Sequence, residues 1–146
     1  MEETFEKKSA QIQKIFAPLT TEQRYDLLIE MGRKMAPYPS HLKTENRIVS
    51  GCQSLLYLDA EMRGEHIFFR AHSEALISAG LAALLIALYS NLSPTEVLTK
   101  PPLVIKELDL IQSLSLSRSN GFAQNFLRMK QLAVQALNQS RSSSNA

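Results

Sequence analysis

From Ala75 to Tyr89 the chain is apolar nearly all round, interrupted only by Ser78 and Gly80. A helix without a polar face has to be covered on every side, so this segment belongs in the middle of a globular domain. It falls short of the ~20 apolar residues that a membrane span needs, and is therefore read as a buried helix. Ser73 is taken as its cap, with the helix running from Glu74 to about Tyr89 and ending at Asn91-Leu92-Ser93. The rest of the 146 residues must wrap it. A chain of this length supports one core that buries roughly 68–70% of the surface the unfolded chain exposes.

The wrapping elements are legible as amphipathic segments bounded by stop signals. Residues 2 to 16 form a first helix, with Phe5, Ser9, Ile12 and Phe16 on one face, and Pro18 stops it. Thr20-Thr21-Glu22-Gln23 supplies a capping box for a second helix to about Met35, whose stripe is Tyr25, Leu28, Gly32 and Met35. Pro37-Tyr38-Pro39 ends it, and Ser40 to Asn46 is a polar connection carrying His41 and Glu45. Ser93-Pro94-Thr95-Glu96 joins a serine cap, a proline at the first helical position and a glutamate at the third, starting a short helix to Thr99. Pro101-Pro102 breaks it, and Leu103 to about Ile111 is helical again, with Leu103, Glu107 and Leu110 in one stripe. A serine-rich loop, Gln112 to Asn120, carries Arg118. The last helix, from about Asn120 to Asn138, places Phe122, Phe126, Met129, Ala133 and Ala136 on a core face. Residues 140 to 146 have nothing apolar to bury and are expected to be disordered, leaving one domain over residues 1 to 139.

Between the second helix and the apolar one, the period changes to two. Leu55 to Met62 and His66 to Ala71 are strands joined through Arg63-Gly64-Glu65, a hairpin signal, and Ile48 to Ser50 forms a short third strand. Both faces of the first strand are apolar at its start, so that end is buried and the hairpin end exposed. The expected fold is α+β: a small antiparallel sheet of about three strands flanked by helices.

Charge narrows the partners. Sixteen basic and fourteen acidic residues leave a net charge of +2, too weak for a nucleic-acid footprint. Residues 112 to 146 nevertheless carry four basic side chains, Arg118, Arg128, Lys130 and Arg141, and no acidic one. This is either a solvated helix face or a surface for an acidic patch on another protein. His41, His66 and His72 are scattered, with no helical spacing and no second thiol, so no metal site is expected. The five glycines are isolated, which excludes a glycine-rich phosphate loop. The acidic, amphipathic N-terminus is not read as a signal peptide, and a single cysteine cannot form an internal disulfide. A reducing, cytoplasmic location and no membrane association are the expectation.

That single cysteine, Cys52, sits in Gly51-Cys52-Gln53, a tight loop just before a strand. It is either a small buried apolar group or a nucleophile presented on a turn. A cysteine hydrolase would need a base in hydrogen-bond reach, for which His72 with Glu74 or Asp59 are the candidates, although nothing in the spacing requires such a triad. An iron-sulfur scaffold would need several ligands. Accepting sulfur from another protein's persulfide asks for one accessible thiolate only, and a second cysteine nearby would release the sulfur by closing a disulfide.

Gly51-Cys52-Gln53-Ser54 followed by Leu55-Leu56-Tyr57-Leu58, the apolar Leu81 to Tyr89, Leu92-Ser93-Pro94 and Ser117-Arg118-Ser119-Asn120-Gly121 together resemble the SufE family of sulfur acceptors, in order and spacing, across roughly residues 10 to 135. The resemblance implies a SufE/IscU-like fold and partnership with a SufS-type, pyridoxal-phosphate cysteine desulfurase. It implies that Cys52 accepts persulfide sulfur, stimulates the desulfurase and passes sulfur to iron-sulfur scaffold proteins. Gly51 and Gln53 match the loop around the acceptor, Arg118 the arginine before the Asn-Gly pair, and Glu74 a position where relatives have aspartate. The pyridoxal phosphate would belong to the partner, so no cofactor of its own is expected, and a monomer or weak homodimer suits a carrier. Tyr57, Ala79, Ser113 and Leu116 depart from residues common in the family. The alternative is a non-catalytic docking module of the same fold that tunes a desulfurase without carrying sulfur.

Overall fold

The computed structural model describes residues 4–51, 54–111 and 114–144, and of residues 116–117 and 140–144 the backbone alone. Six helices and one hairpin make up the described residues: α1 (Phe5–Phe16), α2 (Thr21–Arg33), β1 (Leu56–Arg63), β2 (His66–Ser73), α3 (Leu76–Tyr89), α4 (Pro94–Thr99), α5 (Leu103–Glu107) and α6 (Leu116–Ser144). Two short 3-10 turns, Ser40–Leu42 and Glu45–Arg47, lie between α2 and the hairpin.

The apolar segment is the hub. Leu84, Leu85, Leu88 and Tyr89 of α3 are fully buried, and α1, α2, β2 and α6 all pack against it. α2 crosses α3 at two glycines. A Cβ on Gly80 would lie 2.4 Å from the Leu28 carbonyl oxygen, and one on Gly32 would lie 2.7 Å from the Gly80 nitrogen. Contacts that close exist only because neither residue has a side chain. The spacing that puts Gly32 on the buried stripe of α2 thus marks the point of closest helix approach.

The start of α3 differs from expectation. The helix begins at Leu76 rather than Glu74, its N-cap is Ala75, and no side chain caps it. Ser73 Oγ accepts from the Ala75 N–H at 3.3 Å, closing a turn ahead of the helix instead of capping it. The other two start signals act as read: Thr20 with Gln23, and Ser93 with Glu96, each form a reciprocal capping box.

β1 and β2 pair antiparallel in register Leu56↔Ser73 to Arg63↔His66, connected by Gly64-Glu65 with Gly64 at φ +62°. The third strand reduces to one bridge, Ile48↔Tyr57, with Val49 N–H donating to Leu56 O at 2.9 Å. A second bridge, Ile67↔Leu92, lies on the other edge. The helices bury the face bearing Leu56, Leu58, Ile67, Phe69 and Ala71. On the opposite face, Asp59 is buried against Arg70 at 2.8 Å, the Tyr38 hydroxyl at 3.3 Å and Arg47 at 3.8 Å.

Two further boundaries move. α5 stops at Glu107, four residues short of Ile111, because Asp109 takes φ +57° and turns the chain out of the helix. Leu103 is accordingly exposed, while Leu110 is buried beyond the helix end. α6 begins at Leu116 rather than Asn120, since Ser115 Oγ accepts from the Arg118 N–H at 3.4 Å and Ser115 O from the Ser119 N–H, so Arg118 sits in a first helical turn and not in a loop. Nothing between Asn138 and Ser144 breaks the backbone, and the helix runs on to Ser144. Met129 and Ala133 of its core stripe are fully buried.

Candidate functional site

The cysteine loop is closed by backbone before any side chain acts. Val49 is buried and bonded to Leu56, and Ile48 is bridged to Tyr57, so the two ends of the cysteine segment are held side by side. Gly51 makes that turn at φ +85°, in the left-handed region where a side chain is strained. Its position is restricted from outside too: a Cβ would come within 2.9 Å of Gln124 Cγ on α6. Cys52 and Gln53, the predicted acceptor and its neighbour, lie outside the described residues.

Ser54 marks where the loop rejoins β1, and it lies between two clefts. The first, about 410 Å³, is lined by Ser54, the first turn of α3 from Leu76 to Ser78, and Arg118 and Phe122 of α6. The second, about 420 Å³, is lined by Ser54, Leu55, Tyr57, His72, Glu74 and Lys43. The tertiary fold thus brings together three segments far apart in sequence: the loop, the turn into α3 and the start of α6. Of the residues singled out from sequence, Gly51, Glu74 and Arg118 converge on the loop. Arg118 lines the first cleft and Glu74 the second.

Among the described residues neither the Glu74 carboxylate nor the Arg118 guanidinium has an ion-pair partner. The first turn of α3, which has no side-chain cap among the described residues, lines the first cleft. A helix start without a side-chain cap and an arginine with no ion-pair partner among the described residues make a setting that favours an anion such as a thiolate. Around this charge the wall is apolar, from Ile29, Leu76, Ile77, Leu81 and Phe122. Leu55 and Leu76 stand about half exposed at the rims.

His72 lines the second cleft together with Glu74. Its ring packs with those of Tyr38 and Tyr57 at 6.3 and 6.5 Å, and Asp59 is held by Arg70, Tyr38 and Arg47 instead. Asp59 is thus not the group that would orient His72 as a base, and Cys52, the nucleophile of the hydrolase reading, lies outside the described residues. Among the described residues no group of three or more His, Cys, Asp or Glu side chains could hold a metal ion, and no helix is long and apolar enough to cross a membrane.

The basic C-terminal element is only partly a solvated face. Arg128 Nη2 donates to Asn46 O at 3.0 Å, and Lys130 Nζ lies 4.8 Å from the centre of the Phe126 ring. Two of the four cations are thus turned back onto the chain. Of the departures, Tyr57 lines the second cleft, Ala79 is buried against Gly32, Leu116 opens α6, and Ser113 lies outside the described residues. Sequence reasoning missed the part played by Ser54 as the divide between clefts, and by Gln124 as the surface on which Gly51 rests. No spacing signal points to either, because both follow from where α6 crosses the loop.

Comparison with known proteins shows the family and a similar fold. Residues 10–133 match the model of the family described as "SufE: Fe-S metabolism associated domain". The chain is 34% identical over 113 residues to an uncharacterised SufE-like protein of Synechocystis sp., covering 77% of this chain and 71% of that one. It is 34% identical over 107 residues to the cysteine desulfuration protein SufE of Wigglesworthia glossinidia brevipalpis, covering 70% and 72%. SufE-like protein 1, chloroplastic/mitochondrial, of Arabidopsis thaliana is 33% identical over 126 residues, 85% of this chain but 34% of that longer protein. The solution structure of a hypothetical protein from Thermus thermophilus superposes with a TM-score of 0.76 at 26% identity, covering 90% of this chain and 96% of that one. This chain belongs to the SufE family.

Proposed function

We propose that the protein is a sulfur acceptor and carrier: the Cys52 thiolate attacks the terminal sulfur of a cysteine desulfurase persulfide and holds it as Cys52-S-SH. The desulfurase sulfur leaves as a thiolate, so no external oxidant or reductant is consumed. One observation carries the reading. The loop that bears Cys52 rejoins the sheet at Ser54, on the wall of an apolar cleft of about 410 Å³ that also presents Arg118 and the uncapped start of α3. A cleft of that character suits a sulfur anion, since its charge is met by the guanidinium and helix amides while the wall keeps water and reductants away. Arg118 is assigned to anion support, and Glu74, which lines the second cleft, to contact with the partner. Gly51 holds the turn.

The partner is a SufS-type desulfurase, stimulated when Cys52 removes its sulfur, and the onward acceptor is an iron-sulfur scaffold. The name of the Wigglesworthia relative, a cysteine desulfuration protein, supports this direction of transfer. The test is to incubate the protein with a desulfurase and cysteine and to weigh it intact. A reducible gain of one sulfur on wild type that vanishes in Cys52→Ser is expected. Absence of that gain, or an equal gain on the serine variant, would end the reading. Stimulation that survives Cys52→Ser would favour the docking-module alternative.

A further inference from the structure

The second cleft holds two opposite charges that do not meet. Lys43, from the connection after α2, and Glu74, from the turn into α3, both line this space of about 420 Å³. Among the described residues neither has an ion-pair partner, so the ammonium and the carboxylate share one cleft without closing on each other. The rest of the lining is apolar or aromatic, from Leu55, Ala75, Tyr57 and His72, with Ser54 as the other polar group. The rings form a fixed wall. Tyr57 stacks on Tyr38 at 6.1 Å, and the His72 ring lies 6.3 Å from that of Tyr38. Tyr38 is buried and donates to Asp59 Oδ1 at 3.3 Å, and Asp59 is held in turn by Arg70 at 2.8 Å. Small-molecule sites share this make-up: a cleft of ~300–1,000 Å³ with mostly apolar walls and a few polar groups that fix the ligand's orientation.

We propose that this cleft is a binding site for a free α-amino acid in its zwitterionic form. Lys43 Nζ donates to the ligand carboxylate, the Glu74 carboxylate accepts from its ammonium, and Leu55 with the Tyr57 ring takes a small apolar or thiol side chain. A ligand with a single charge satisfies one of the two groups and leaves the other unpaired. The interior of a peptide, whose backbone carries neither charge, satisfies neither. Cysteine, and the alanine that remains once its sulfur is removed, both belong to this class. Under the sulfur-acceptor reading above, on which this use of the site rests, the cleft takes the small molecules of the partner's own reaction.

The experiment titrates the isotope-labelled full chain with L-alanine and follows its amide chemical shifts. A saturable change at Leu55, Tyr57, His72 and Glu74 with a midpoint in the millimolar range is expected, since both charged groups are exposed to solvent. Propionate and ethylamine, which each keep one charge of alanine, should bind about tenfold more weakly. Lys43→Gln should remove the preference for alanine over ethylamine, and Glu74→Gln the preference over propionate, each by weakening alanine about tenfold. No saturable change at tens of millimolar alanine overturns the proposal, as does propionate or ethylamine binding as tightly as alanine, or wild-type binding in both variants. The same titration on Cys52→Ser, which has no thiol to load, should give the wild-type midpoint. Alanine binding in a wild-type protein that took up no sulfur would sink the acceptor reading and leave the site standing.

Discussion

Single residues in this protein act through what they leave out as much as through what they carry. Gly51 has no side chain, and two constraints meet there: a left-handed φ of +85° and the approach of Gln124. Gly51→Ala should therefore cost about 1 kcal/mol or more of stability and shift Cys52 out of place, read as a lower Tm and slower sulfur loading. On the far face of the hairpin, burial and then the neighbouring Asp59 push the Tyr38 phenol up to about 12. A phenol raised in the folded state binds its proton more tightly there than in the unfolded chain. Its contribution is complete below pH ~10, the unfolded value, and is lost as pH rises toward 12. Denaturant titrations across that window should show stability falling, and falling less steeply in Tyr38→Phe. Burial also raises Tyr89, whose hydroxyl donates to Lys100 O, so part of the alkaline loss should remain.

Elements are placed by the pairing of their faces. α2 and α3 approach as closely as they do because Gly32 and Gly80 meet at their crossing. Gly80→Ala would drive a Cβ to 2.4 Å from a backbone carbonyl oxygen, which no side-chain rotation relieves. It should destabilise by about 3 kcal/mol or more, against about 1 kcal/mol gained from helix propensity, and circular dichroism on melting would show it. The same packing sets the site, since Ile29 of α2 and Leu81 of α3 are part of the first cleft wall. Boundaries are readable where side-chain chemistry caps an end, as at Thr20 and Ser93, and unreadable where the backbone alone decides. Asp109 ends α5 with a positive φ, and Ser115 starts α6 from within a stretch that its serine content marks as a loop.

At the scale of the whole molecule there is one core, and α3 is its axis. Leu85 is fully buried in that helix, so Leu85→Ala should cost about 2–5 kcal/mol. With the helices and hairpin packed around one core, loss of helix and of tyrosine near-ultraviolet signals should coincide in one transition, and separate midpoints would contradict a single cooperative unit. The site depends on this unity. Gly51, Glu74 and Arg118 belong to a loop, a strand-to-helix turn and the first turn of α6, and Glu74 and Arg118 reach the clefts beside Ser54 only because α3 and α6 pack against the hairpin.

By itself the amino-acid sequence determined the hub helix, the amphipathic wrapping, the two reciprocal caps, the hairpin and the family, because each rests on local periodicity or on residues in a fixed order. It also singled out Gly51, Glu74 and Arg118 as neighbours of the cysteine loop. The tertiary structure alone decided that Ser54 lines two clefts, that Arg118 stands in a helical turn, and that Arg128 turns back onto the Asn46 carbonyl. The reason is physical. Periodicity tells which face of a helix is buried, whereas what that face meets depends on packing between segments distant in the chain, and packing leaves no mark in the spacing of residues.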